Sequence, residues 1–200
     1  ADRARRSLPV AADLAALRVP GRAGRRDRAS VLIHAVDIGA SKERATCGIA
    51  ELDSLKLRTL LEGGEDLLGT RTIGGHELVQ VLAAVHRAKT AGATMVVERP
   101  YFNTSFGNVV TFDTLVVVRQ RFVDLCKIYG VPCHVVYPAT WQVFLKHCPV
   151  GAVSVVKKTQ KLTKLQAAWL FAKIYGEREV CEHEIDAALM GRWWGFTHGT

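Results

Sequence analysis

No run of apolar residues in this 200-residue chain approaches the roughly 20 that a membrane-spanning helix needs, so no helical membrane anchor is expected. No C-x-x-C pair occurs among the five cysteines, Cys47, Cys126, Cys133, Cys148 and Cys181, and their number is odd. That pattern argues against a disulfide framework and suits reduced, structural thiols in an intracellular compartment. The one zinc set that can be assembled, His147, Cys148, Cys181 and His183, lacks the spacing of a known knuckle. Internal repeats are absent, and the D-I-G of residues 37–39 is not followed by the phosphate loops an actin-like ATPase requires.

The composition, 48% hydrophobic and 23% charged, fits one globular domain whose core needs no staples. A net charge of +8 and a pI near 9.5 point to a polyanionic partner, most simply nucleic acid. The charge is uneven: residues 1–30 hold eight arginines, three aspartates and no lysine, which supplies +5 of the +8. They read as a basic, mobile N-terminal arm that touches phosphates. The rival reading, the remnant of an organelle transit peptide, is opposed by the three aspartates.

After Ser30, V-L-I-H-A-V-D-I has the short, β-branched pattern of a buried strand that stops at Gly39. A-T-C-G-I-A-E-L and L-K-L-R-T-L read as two further strands parted by the Asp53-Ser54 turn, and Gly63-Gly64 closes a three-strand antiparallel meander. H-E-L-V-Q-V-L-A-A-V-H-R-A-K is an amphipathic helix with Leu78, Val79, Leu82, Ala83 and His86 on its apolar side. A-T-M-V-V-E is a fourth strand, Asn108 to Tyr129 a second helix and V-P-C-H-V-V-Y-P a fifth strand. In the second helix Val117, Val118 and Leu125 widen the apolar surface beyond one stripe, as in a helix that is deeply buried or packed against another subunit. Lys157 to Tyr175 makes a third helix, with Leu162, Leu165, Trp169 and Ala172 on one side and Lys157, Lys161 and Lys164 on another. E-H-E-I-D-A-A-L-M-G-R-W-W is the last. This order implies an α/β fold: a mixed five-stranded sheet, three antiparallel strands and then alternating helices and strands, with helices on both faces.

Three acids stand out by position. Asp37 lies near the end of the first strand, Glu98 ends the fourth, and Asp186 sits in the last helix before the small residues Ala187 and Ala188. If strands one and four are neighbours, their C-terminal ends lie side by side, and a last helix crossing that edge brings Asp186 to the same point. Crowded carboxylates repel one another, and a cation offsets the repulsion. Oxygen ligands without thiolates suit magnesium or manganese, and two such ions are a known device for in-line hydrolysis of a phosphodiester. Each acid also has a plainer reading: Asp37 as a turn residue, Glu98 paired with Arg99 or Lys89, Asp186 flanking a helix.

V-D-I-G, V-V-E-R-P, V-Y-P-A-T-W-Q and H-E-I-D-A-A-L-M-G, in that order, resemble the four motifs of RuvC-type Holliday-junction resolvases, nearest their viral, phage and organellar branches. The resemblance runs from about Val31 to Trp194. It implies an RNase H-like nuclease domain over residues 31–200, a homodimer, and cleavage of four-way DNA junctions with two divalent ions (Mg2+, or Mn2+) per active site. On the matching positions Asp37, Glu98 and Asp186 are the catalytic metal-binding acids. His183, one helical turn before Asp186, takes the place of a fourth ligand that is commonly Asp, which gives manganese more weight; Glu182 competes for that place. Tyr101 and Phe102 stand where the family stacks an aromatic on bases at the crossover; the plainer reading is that Tyr101 and Phe106 cover the sheet edge. Lys157, Lys158, Lys161 and Lys164 fall near the family's phosphate-binding residues, with Lys158 and Lys161 the candidates for assisting catalysis; the alternative is a solvated helix face. Trp141 matches a family aromatic and reads as packing.

Two other functions stand beside this one. An RNase H-like nuclease acting on RNA shares the V-D-I-G start, although ribonuclease H itself needs an acid on the first helix, where only Glu77 and its neighbours are available. A catalytically idle binder of branched DNA would keep the acids for structure alone.

Overall fold

The computed structural model describes residues 31–40, 45–57, 59–100, 109–147 and 162–198. Five strands, β1 (Leu32–Ala40), β2 (Ala45–Asp53), β3 (Leu67–Gly74), β4 (Thr94–Glu98) and β5 (Cys133–Val136), form one sheet in the order β3-β2-β1-β4-β5. β1–β2 and β2–β3 are antiparallel, while β1–β4 and β4–β5 are parallel. The helices are α1 (Leu78–Ala91), α2 (Val109–Tyr129), α3 (Pro138–His147), α4 (Lys164–Tyr175) and α5 (Glu182–His198). The expected α/β architecture is therefore what forms, and strands one and four are adjacent, which meets the condition for Asp37 and Glu98 to share an edge. Among the described residues no helix is long and apolar enough to cross a membrane.

Because β1 is central, both its faces are covered, and its alternation sorts the molecule into two cores. Ile33 and Ala35, with Ala50 and Leu52 of β2, join α3, α4 and α5 in one cluster. Val36 and Ile38 join α1 and α2 in the other, where Phe122 and Cys126 are the most enclosed residues of α2. Asp37 belongs by alternation to the first row, the α5 side.

Four expectations are corrected. The third strand is not L-K-L-R-T-L but Leu67–Gly74, beyond Gly63-Gly64 and a short 3-10 turn at Gly64–Asp66. Leu57 and Leu60 of the expected strand are buried, but the carbonyls there serve a different partner. Arg192 of α5 donates from Nε to Leu60 O at 2.7 Å and from Nη2 to Thr59 O at 2.8 Å, and its Nη1 pairs with buried Asp66. Tyr175 OH donates to the other Asp66 oxygen at 3.2 Å. A guanidinium with its donors so engaged takes the place of a strand ladder. Burial pushes the Asp66 carboxyl up and the Arg192 charge draws it back.

The second correction is of helix faces. α1 lies on the sheet through Val81, Ala84, Val85 and Ala88, leaving Leu78 and Val79 exposed. α4 buries Ala167, Leu170, Phe171, Ile174 and Tyr175, leaving Leu165 and Trp169 exposed. In α1 two alanines, Ala84 and Ala88, share the packing line with two valines; in α4 the line is mostly large, with Ala167 its one alanine. The third is the helix Pro138–His147, which was not expected between β5 and the basic segment. Fourth, α4 opens at Lys164, not at Lys157 as expected, because a capping box starts it there, Thr163 and Gln166 each accepting the other's backbone N–H.

Candidate active site

The site is built by pressing α5 onto β1 and β2. Gly195 packs against Ile33, Gly191 against Ala35 and Leu52, and His183 against Gly39, so α5 runs antiparallel to β1 with a small residue or His183 facing the sheet at every fourth position. A Cβ at Gly39 would overlap the imidazole of His183, and one at Gly48 would overlap the His183 backbone. Gly48 is the register partner of Asp37. The close approach at these two glycines puts His183 Nδ1 at 2.7 Å from Asp37 Oδ2. The first turn of α5 is fixed by Cys181, whose backbone N–H donates to Glu184 Oε2 at 2.8 Å.

β4 beside β1 brings in Glu98, and α5 brings in Asp186. All three acids are displaced from the ordinary carboxylate range. Asp37 is pushed up to about 7 first by burial, with the Glu98 hydrogen bond opposing and the Asp186 and Glu182 charges adding. Glu98 is held well above its usual value by burial, then by the neighbouring Asp37 charge and their shared hydrogen bond. Asp186 is raised to about 7 by burial and by Glu98, with His183 and Lys164 pulling it back. The Asp37 charge thus opposes ionisation of Glu98 beside it.

The plainer readings of the acids fail on this geometry. Asp37 lies inside the β1 ladder, not in a turn. Arg99 stacks over the Tyr137 ring at 4.5 Å and bonds its hydroxyl, while Glu98 Oε1 accepts from Trp141 Nε1–H at 2.9 Å. Asp186 caps nothing, since Glu184 performs that service. Glu77 starts α1 on the other face of the sheet, where its carboxylate is engaged by Gln80.

The donor set, three carboxylates and an imidazole with no thiolate, fits a hard divalent ion, and a buried Asp37 beside half-buried Glu98 and Asp186, all pushed toward their neutral forms, is what such an ion would relieve. Among the described residues no group of three His, Cys, Asp or Glu stands arranged to hold an ion: Asp37 is engaged by His183, and Glu98 by Trp141. Of the zinc set, Cys181 and His183 are described with their side chains, and they have other partners. Cys181 Sγ lies 3.2 Å from Thr72 Oγ1, His183 faces Asp37, and Cys148 is outside the described residues.

Of the basic candidates Lys164 is described: it is exposed and paired with Glu182, whose carboxyl it lowers. That pairing turns Glu182 toward the lysine, whereas His183 meets Asp37. Residues 1–30, Tyr101, Phe102, Phe106, Lys157, Lys158 and Lys161 lie outside the described residues. Reading the sequence missed Gly39 and Gly48, whose role depends on where α5 lands. It also took Trp141 for packing alone; Trp141 is indeed buried, but it also holds Glu98.

No family model matches the chain, and no curated protein matches it. Among solved structures it is similar to a Thermus thermophilus RuvC structure, with TM-score 0.54 and 15% identity over 83% of this chain and 94% of that one. It is likewise similar to T. thermophilus RuvC in complex with Holliday junction substrate, with TM-score 0.56 and 15% identity over 83% of this chain and 93% of that one. The chain has a RuvC-type, RNase H-like fold.

Proposed function

We propose that the chain is a structure-specific endonuclease that resolves four-way DNA junctions by paired, symmetric, metal-dependent hydrolysis of phosphodiesters. The observation that carries this reading is the meeting of Asp37, Glu98 and Asp186, from β1, β4 and α5, in one desolvated cluster on a RuvC-type sheet. Asp37, Glu98 and Asp186 would hold the metal, with His183 as the fourth ligand. Divalent ions, Mg2+ or Mn2+ and two per site, would supply activation of water and stabilisation of the leaving oxygen.

The protein's own part is placement. The sheet fixes Asp37 and Glu98 on neighbouring strand ends, the α5 contact fixes His183 and Asp186, and burial keeps bulk water from screening the acids. The products carry a 5′-phosphate and a 3′-hydroxyl. Lys164, with Lys157, Lys158 and Lys161 before it, serves the phosphates, and the chain's charge of +8 favours the encounter. Tyr101 and Phe102 stack on bases opened at the crossover.

Two cuts in one junction call for two sites, and a homodimer supplies them. Supporting it, Val117 of α2 and Leu78 and Val79 of α1 are exposed apolar residues, and Arg121 of α2 bonds His76 O at 3.1 Å beside them. An intracellular, DNA-containing compartment suits the unpaired thiols.

The test is a substrate panel: four-way junction, linear duplex, RNA–DNA hybrid and single-stranded RNA, each with Mg2+ or Mn2+. Cleavage of the junction alone supports a resolvase. Cleavage of RNA or hybrid assigns the site to RNA processing, and tight junction binding with no cleavage under either ion assigns the chain to idle binding.

A further inference from the structure

Glu98 is steadied by a neutral donor from an element that reading the sequence missed. β4 and β5 run parallel with Glu98 opposite Val136, and Arg99 N–H donates to Val136 O at 2.7 Å, so both strands end level. α3 begins two residues later at Pro138, on the same edge where Glu98 ends. Trp141, one turn in, returns over that edge, and its Nε1–H meets Glu98 Oε1 at 2.9 Å.

The indole cannot readily leave. It is 1% exposed and belongs to the core cluster that holds Leu145 of α3 and Ala187 to Met190 of α5. The same body that packs against the core therefore ties α3 to the strand end carrying Glu98. The one cation next in sequence, Arg99, is turned away onto Tyr137.

The choice of donor matters. A lysine or arginine at this point would neutralise Glu98 and compete with a metal ion for it. An indole N–H is a donor only: it accepts no proton, ligates no metal and brings no charge. It occupies one lone pair of Oε1 and fixes the carboxyl plane, while the remaining lone pairs stay free for Asp37 or a cation.

We propose that Trp141 is the positioning residue of Glu98, its indole N–H setting the orientation in which that carboxylate receives a divalent cation. This rests on the reading of Asp37, Glu98 and Asp186 as metal-binding acids. Partners of this kind behind a ligand are typically worth about 10–100-fold in metal affinity or activity.

A crossed pair of variants separates positioning from packing. Trp141→Phe keeps most of the ring volume and deletes the donor. Trp141→His loses volume but keeps a ring N–H at the same place along the side chain. Mn2+ is titrated calorimetrically into metal-free wild type, both variants, Glu98→Gln and the Glu98→Gln/Trp141→Phe double variant, with thermal unfolding measured in parallel and junction cleavage followed against Mn2+ concentration.

The expected result is that Mn2+ affinity follows the donor and stability follows the volume. Trp141→Phe binds Mn2+ about 10-fold or more weakly, recovers its cleavage rate at saturating Mn2+, and adds no further loss to Glu98→Gln. Trp141→His melts earlier yet binds Mn2+ close to wild type. Should the phenylalanine variant fail to fold, the histidine variant decides alone. Mn2+ affinity that tracks melting temperature instead, or a Trp141→Phe that binds as wild type does, overturns the proposal. Wild type that takes up no Mn2+ overturns the metal reading of the acids beneath it.

Discussion

Asp37 and His183, 146 positions apart in the chain, meet at 2.7 Å because two glycines, Gly39 and Gly48, let α5 lie directly on the β1–β2 pair. The contact joins the first strand to the last helix and closes the candidate site. Its consequences are measurable.

The first concerns room. Gly48→Ala puts a methyl group into the His183 backbone, so α5 must lift from the sheet. We expect destabilisation of about 1–3 kcal/mol, the usual range for overpacking. Cleavage should fall roughly 100-fold, since misplacing a catalytic group by about an ångström has that effect. Gly69→Ala on β3 is the control: a Cβ there meets nothing, so stability should hold or rise by about 0.5–1 kcal/mol. Urea unfolding of the two variants beside wild type checks both.

The second concerns protons. Burial raises Asp37 from an ordinary 3.8 to about 7. Between those values the folded chain holds a proton that the unfolded chain has released, so stability falls as pH rises through this window, and the full penalty stands above pH 7. Asp37→Asn removes the ionising group. In a chelator, the variant should melt above wild type at pH 8 by an amount on the order of a few kcal/mol, with the gain shrinking toward pH 4. A gain that is flat with pH would show that desolvation of this carboxylate is not the cause. Excess Mn2+ should reverse the order at pH 8, because only the wild type then has its charge relieved.

The third concerns Arg192. It is almost wholly buried, pairs with Asp66 and holds the carbonyls of Thr59 and Leu60. Arg192→Ala leaves the buried Asp66 carboxylate without its counter-charge and several carbonyls without donors, and should destabilise by about 3–5 kcal/mol. Because the loss falls on the β2–β3 connection, hydrogen exchange should rise first in residues 57–66.

The fourth separates charge from fold. Lys164 and Glu182 are exposed partners, a pair worth about 0–1 kcal/mol, so Lys164→Ala should leave the melting temperature nearly unchanged. If Lys164 meets a phosphate, the variant binds junctions more weakly, and the slope of log affinity against log salt falls by about 1. An unchanged slope removes Lys164 from the DNA surface.

The acids were legible in the sequence because each breaks a local rule. Asp37 and Glu98 are charged residues at the ends of apolar strands, and Asp186 precedes small residues in a helix. That the first two meet depended on strands one and four being neighbours, which the order of strands and helices left as a condition. What depended on distant placement was not legible. The value of Gly39 and Gly48 exists only once α5 lies over them, and the Trp141 bond only once β4 and β5 end level. Arg192 carried no signal of its own in the sequence, and its partners are Thr59 and Leu60, from a segment mistaken for a strand, and Asp66, from the turn after it. The helix faces of α1 and α4 were misjudged for a simpler reason: both helices carry large apolar side chains on more than one side. Leu78 and Val79 stand beside the line of Val81, Ala84, Val85 and Ala88 in α1, and Leu165 and Trp169 beside that of Leu170, Phe171 and Ile174 in α4; the pattern alone does not say which side is covered.

The most direct measurement is cleavage of one synthetic four-way junction, each strand separately end-labelled, by wild type and Asp37→Asn in Mn2+, with junction binding measured in a chelator. Paired cuts at symmetric positions, ending in 5′-phosphates, that vanish in the variant while its binding persists are the predicted result. Cleavage that survives Asp37→Asn, or wild type that binds the junction and cuts no strand, would contradict a nuclease centre at the meeting of β1, β4 and α5.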